Sequence, residues 1–180
     1  QSQLVTAYIN QRLYDKAQMV INKYPKFPIM QSQLISIYIE KWKESAKEKM
    51  LDEAEQKAKE FSEYLPIQSQ LITIYMLKGE YDKAEKLAKR FPNYAPIQSQ
   101  LVTIYIKKWQ DEEAVKIADN FKWYEPIQEQ LLELYMNQNN FKKAKEIADF
   151  MPHSKIIKNK FLSFRNITGG DKLADDDFDR

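Results

Sequence analysis

Residues 66–95 read PIQSQLITIYMLKGEYDKAEKLAKRFPNYA, and the spacing of their apolar positions decides the fold. Ile67, Leu71, Ile74 and Tyr75 fall at i, i+4, i+7 and i+8, the stripe of an amphipathic helix, and Pro66 suits its first turn. Gly79 interrupts the pattern where a left-handed residue would close that helix. After it Ala84, Leu87, Ala88 and Phe91 recur at i, i+3, i+4 and i+7, a second short helix that Pro92 ends. The alanine pair lets this second helix (helix B) approach its neighbour closely, while Phe91 and Tyr75 fill the space between it and the first (helix A).

The hairpin is one copy of several. Gln-Ser-Gln-Leu occurs at Gln1–Leu4, Gln31–Leu34, Gln68–Leu71 and Gln98–Leu101, with Gln-Glu-Gln-Leu at Gln128–Leu131, so the spacings are 30, 37, 30 and 30 residues. Each copy carries a helix B alanine (Ala17, Ala54, Ala84, Ala114, Ala144), followed seven residues later by Tyr24, Phe61, Phe91, Phe121 or Met151. A hairpin with two apolar faces cannot bury both alone and must stack on the next. The expected fold is therefore all-α: a right-handed α-solenoid of about five short repeats at 1–30, 31–67, 68–97, 98–127 and 128–157, with the A helices lining a concave inner wall. A degenerate sixth copy has Phe161 in the Leu position and Lys158 and Lys160 in the Gln positions, and predicts a capping helix over 158–166.

The second copy is seven residues longer, within Lys41–Leu51. Seven residues are close to two helical turns, so adding about one turn to each antiparallel helix keeps both apolar phases. That hairpin is expected to project beyond the others, as a tolerated insertion or as a contact knob. Asn139, Trp109 and Arg12 hold the place of Gly79 in other copies, so the turn should not depend on glycine. Residues 167–180 hold five Asp against Lys172 and Arg180 and read as a flexible acidic tail of charge −3; residues 1–166 must then carry +5 for the chain's total of +2. The chain begins at Gln1 already inside a patterned segment, which reads as a piece of something longer.

Composition excludes much chemistry. With no Cys there is no disulfide, no thiolate nucleophile and no Cys-ligated metal. Only Gly79, Gly169 and Gly170 are glycine, too few for a phosphate-cradling loop. No apolar run approaches the roughly 18 residues that span a membrane. The single histidine, His153, abuts Ser154 in a turn, where adjacent residues cannot provide a nucleophile with an oriented base. The reading is of a protein that is not an enzyme, with no cofactor, no metal, no small-molecule substrate and no membrane contact. It is placed in the cytoplasm, with export into a host cell left open.

Leu71, Tyr75, Gly79, Tyr81 and Ala84, with a proline at the next hairpin, resemble the tetratricopeptide pattern, although the unit is about four residues shorter than the usual period of about 34. Phrases such as Phe150–Ile157 and Leu71–Ala84 also resemble short pentatricopeptide repeats. The first resemblance implies a protein or peptide held in the concave groove; the second implies single-stranded RNA read at about one base per repeat.

On a helix A wheel Ser69 and Thr73 lie opposite Leu71, with Met76 beside them. Their equivalents are Ser2, Thr6 and Ile9; Ser32, Ser36 and Ile39; Ser99, Thr103 and Ile106; and Glu129, Glu133 and Met136. The inner wall is thus expected to be a floor of hydroxyls with an apolar ridge, acidic at one end. Such a wall suits a protein segment offering backbone hydrogen bonds and apolar side chains, and it holds few cations for phosphates. In the RNA reading Ser69 and Ser99 would face bases, but the repeat ends that complete such a code are Phe27, Tyr64, Tyr94 and Tyr124, which read as packing residues. Two glutamine rows, Gln31, Gln68, Gln98 and Gln128 with Gln33, Gln70, Gln100 and Gln130, should hydrogen-bond between neighbouring hairpins. On helix B, Asp82 with Lys86 and Glu85 with Lys89 stand at i,i+4 and read as a solvated face. The expected function is a non-enzymatic scaffold binding a protein or peptide, with RNA binding as the alternative.

Overall fold

Proline and the residue before it start the A helices. Phe27, Tyr64, Tyr94 and Tyr124 are extended, with ψ between 98 and 112°, and Pro28, Pro66, Pro96 and Pro126 occupy the first turn after them. A first-turn proline lacks only an N–H that would have no helical partner anyway. The computed structural model describes residues 1–168, which form eleven helices and no strand. The chain divides into two compact units, Gln1–Phe91 and the residues from Pro92 onward.

The first unit holds three hairpins: α1 (Ser2–Asn10) with α2 (Tyr14–Ile21), α3 (Pro28–Ser45) with α4 (Glu48–Lys59), and α5 (Leu65–Leu77) with α6 (Tyr81–Ala88). Within it α3 packs on both α1 and α2, and α5 on both α3 and α4. The second holds α7 (Ala95–Lys107) with α8 (Asp111–Asn120), α9 (Glu125–Asn137) with α10 (Phe141–Phe150), and the single α11 (Lys155–Thr168). Here α9 packs on α7 and α8, and α11 on α9 and α10. Each unit is a stack of helical hairpins, the local arrangement of an α-solenoid. The terminal helix is longer than the expected 158–166 at both ends, because the Ser154 hydroxyl accepts from the Ile157 N–H and caps it a turn earlier. Ile167 and Thr168 therefore belong to α11; the rest of the expected acidic tail, 169–180, lies outside the described residues.

The A helices are buried on more than one side. In α5, Ile67, Leu71, Ile72, Ile74 and Tyr75 are all buried, because one face meets α6 and another meets the hairpin before it. The single stripe read from the sequence leaves out Ile35, Ile72, Val102 and Leu132, each fully buried one position after the Leu of its repeat. The helix B alanines Ala54, Ala58, Ala84, Ala88, Ala114 and Ala118 are also fully buried, as close helix approach requires.

All five hairpin turns pass through a left-handed residue: Arg12, Ala46, Gly79, Trp109 and Asn139, with φ between 52 and 74°. In four of them the next N–H reaches back five residues, as Glu80 N–H to the Tyr75 carbonyl at 2.8 Å, and the left-handed residue bonds three back, as Gly79 N–H to Met76 at 3.1 Å. This double closure satisfies two carbonyls at the helix end and forces the conformation whatever the side chain. The second hairpin closes differently, with one bond from Ala46 N–H to the Trp42 carbonyl. Its helices have 18 and 12 residues against 13 and 8 in the third hairpin, so both strokes are lengthened. The added length of α3 also leans on the first hairpin, where Glu44 accepts from the Tyr14 hydroxyl at 3.0 Å and pairs with Arg12 at 3.1 Å.

The turns generate a paired prediction. A Cβ at Gly79 meets nothing within 4 Å, so Gly79→Ala should lose only the backbone preference, about 1 kcal/mol. Trp109 bears that strain now and is 90% exposed, so Trp109→Gly should raise stability by up to about 1 kcal/mol. Thermal melts should therefore move in opposite directions, each by roughly 2–4 °C.

Candidate functional site

The hydroxyl rows on the A helices face the next A helix. In the first unit the Gln33 side-chain amide of α3 donates to the Ser2 carbonyl and to the Thr6 hydroxyl of α1, both at 2.9 Å. One repeat on, Gln70 of α5 donates to the Ser32 carbonyl at 3.0 Å and the Ser36 hydroxyl at 2.9 Å, while the Ser32 hydroxyl donates back to Gln70 Oε1 at 3.0 Å. In the second unit Gln130 of α9 donates to the Ser99 hydroxyl of α7 at 2.7 Å, and the Thr103 hydroxyl donates to Gln130 Oε1 at 2.9 Å. An amide suits this post because it offers donors and an acceptor on one flat group.

The clamp changes chemistry at its last step. Glu129 and Glu133 stand where the earlier copies have a hydroxyl pair, and Lys160 of α11 stands where they have the amide. Lys160 bonds Glu129 at 2.7 Å and also Glu133. Hydrogen bonds to Glu129 and then Glu133 raise the Lys160 ammonium above its ordinary range. At this end Glu129 and Glu133 share one ammonium, a Lys–carboxylate version of the Gln–hydroxyl clamp that keeps a net charge of −1.

Two further ties hold each stack. The buried Gln68, 2% exposed, donates to the Phe61 carbonyl at 3.2 Å, where α4 has just ended. Gln31 does the same to Tyr24 at 3.2 Å and Gln128 to Ala118 at 3.0 Å. Each of these carbonyls also accepts the N–H three residues on, so the amide takes its second lone pair at the end of helix B. At the other end of helix A, Lys78 pairs with Asp52 at 2.8 Å and Glu55 at 2.7 Å on α4, Lys41 with Gln18 at 3.1 Å on α2, and Gln138 with Asp111 at 2.8 Å on α8. Hydrogen bonds donated to Asp52 and then Glu55 hold Lys78 well above its ordinary range. Burial works against ionisation of Glu55, but hydrogen bonds from Lys59 and Lys78 outweigh it and leave its carboxyl below the ordinary value. The tie was missed in the sequence, although Lys41, Lys78, Lys108 and Gln138 each lie eight residues after a clamp glutamine.

The twelve groove positions are thus placed as follows. Ser32, Ser36, Ser99 and Thr103 are half-buried and bonded within their stack; Ser69 and Thr73 are half-buried and Thr73 donates to the Ser69 carbonyl at 3.2 Å; Glu129 and Glu133 hold Lys160. Met76, Ile106 and Met136 are half-buried beside them, and Ile39 is buried. On helix B the Glu85–Lys89 pair closes at 2.5 Å, whereas the expected Asp82–Lys86 pair does not: Lys86 has no carboxylate partner among the described residues. Among the described residues no helix is long and apolar enough to cross a membrane.

No protein-family model matches this sequence, and no curated protein sequence matches it. Its structure matches the crystal structure of a tetratricopeptide repeat protein from Parabacteroides merdae ATCC 43184, with a TM-score of 0.56 and 15% identity over 97% of this chain and 75% of that one. The likeness establishes an all-helical repeat fold of the tetratricopeptide kind.

The terminal clamp gives a compensation test. Lys160→Gln alone leaves two facing carboxylates without their cation and should destabilise the chain by about 1 kcal/mol. Adding Glu129→Ser and Glu133→Thr rebuilds the amide clamp of the other repeats and should recover most of that loss in urea denaturation. The ion-paired form contributes its full stability below pH about 10.5 and loses it as pH rises through the higher folded Lys160 value. Denaturation midpoints of the triple variant should lack that alkaline decline.

Proposed function

We propose that the chain is a non-enzymatic helical-repeat scaffold that holds a protein or peptide along its helix A face. One observation carries the reading: the hydroxyls of Ser32, Ser36, Ser99 and Thr103 are already bonded to the glutamine amides of the next helix, so an apolar side chain can settle beside them without breaking a hydrogen bond. Met76 in the first unit, and separately Ile106 and Met136 in the second, are half-buried apolar positions beside those hydroxyls, and methionine adapts readily to varied apolar partners. The partner then gains affinity from side-chain packing, with the clamps supplying a rigid floor. The likeness to a tetratricopeptide repeat structure supports this class of function. No small-molecule chemistry enters the proposal, and a cytoplasmic site of action is part of it.

A second reading has its own observation. Phe27 and Trp123 are largely exposed at hairpin junctions, and Trp123 lies edge-on to Tyr124 with ring centres 5.6 Å apart. Exposed aromatics beside a mildly basic surface suit stacking of single-stranded RNA bases without sequence preference.

Selection of displayed peptides against the chain separates the two. The scaffold reading expects peptides that bind with micromolar or better affinity and lose at least about tenfold to Met76→Lys or Ile106→Lys, with thermal melts unchanged. Undiminished capture by both variants would move the site off helix A. Saturable RNA binding at physiological salt that Trp123→Ala abolishes would favour the second reading.

A further inference from the structure

Between α4 and α6 in the first unit, over the helix α5 that they both flank, runs a groove of about 320 Å3. Its floor is Leu71, Tyr75 and Leu87. The Tyr75 hydroxyl makes no hydrogen bond within the chain, so the floor offers one donor. Its rim is Lys59 on α4, Lys83 and Lys86 on α6, and Arg90 in the turn just after α6, with no carboxylate among the lining residues. Lys59 and Lys83 pair with Glu55 and Glu80, but among the described residues Lys86 and Arg90 have no acidic partner.

The fold does not require this charge. A groove at the same place in the repeat, 60 residues on, keeps Gln128, Leu131, Tyr135 and Lys143 but replaces Lys59 by Asp119, Lys86 by Glu146 and Arg90 by Phe150. Lys86 and Arg90, four positions apart across the end of α6, are like charges that repel each other. The groove between α4 and α6 thus carries an unneutralised positive rim over an apolar floor, a pairing that the repeat itself does not explain.

We propose that this groove takes an acidic peptide segment of a protein partner, with one apolar side chain set on Leu71 and Leu87 and its flanking carboxylates on Lys86 and Arg90. Charge complementarity selects the carboxylates, and the planar Arg90 fork suits them especially. The volume lies at the small end of ligand pockets, roughly 300–1,000 Å3, which fits one side chain with its neighbours. Stacked nucleotides are a poorer match: Tyr75 is buried, and Lys83 sits over its ring at 5.7 Å, so no open aromatic face is left for a base. The site is separate from the helix A ridge, and the two can fail independently.

The test uses the full chain and a fluorescein-labelled peptide, Asp-Asp-Phe-Asp-Asp, followed by anisotropy at physiological salt. Saturable micromolar binding is expected, weakened at least about tenfold by Lys86→Glu with Arg90→Glu and similarly when the peptide's Phe becomes Ser. Neither side chain has a carboxylate partner among the described residues, so the melt should not fall; if it does, Lys86→Gln with Arg90→Gln replaces the reversal. Met76→Lys should leave this affinity unchanged, which separates the groove from the ridge. Equal binding by the charge-reversed chain, equal binding of the Ser peptide, or displacement of the peptide by mixed-sequence RNA at lower concentration would each overturn the proposal.

Discussion

The interaction on which the rest depends is a glutamine amide on one A helix held by the hydroxyl pair of the A helix before it. Apolar packing alone fixes how far apart two helices lie but allows them to slide along and rotate about each other. A flat amide with two directed bonds does not. Gln70, bonded at once to Ser32 and Ser36, sets both the height and the rotation of α5 on α3, and Gln33 and Gln130 do the same in their own pairs. Each net bond contributes only about 1 kcal/mol, but leaving a half-buried amide unpaired would cost more, so wrong registers are penalised.

The substitution at the end of the array supports this view of the clamp as a unit. Three positions change together, hydroxyls to Glu129 and Glu133 and amide to Lys160, and the contact survives with its geometry transposed into charge. Lysine and two carboxylates tolerate water better than a dry amide, which fits the helix where stacking stops. The Lys78 tie at the far end of helix A and the Gln68 bond to the end of helix B complete the same task from other sides.

Much of this was legible in the sequence and some was not. The period, the hairpins and the glutamine rows follow from Gln31, Gln68, Gln98 and Gln128 recurring beside a helical stripe, since repetition within one chain amplifies a weak local signal. The burial of Ile35 and Ile72 was not legible, because a wheel drawn for one helix assumes one covered face and these helices have two. A wheel places Ser32, Ser36, Ser99 and Thr103 on one face of helix A, yet it cannot show that the next helix already bonds them. The turn at Trp109 was read as free of any need for glycine; its left-handed backbone is imposed by the double closure onto Tyr105 and Ile106. The positive groove was hidden because its rim joins Lys59 to residues more than twenty positions away, a neighbourhood that only stacking creates.

A rigid floor whose hydroxyls already bond the next helix is a good platform for a partner that brings its own polar groups already paired, and the scaffold's contribution is then position and packing. That account stands on the clamp being energetically coupled across the hairpins. The direct measurement is a double-mutant cycle of Gln70→Ala and Ser36→Ala, followed by urea denaturation. The account predicts a coupling of about 1 kcal/mol between the two positions. Losses that add to within about 0.3 kcal/mol would contradict it and leave the hairpins held by apolar packing alone.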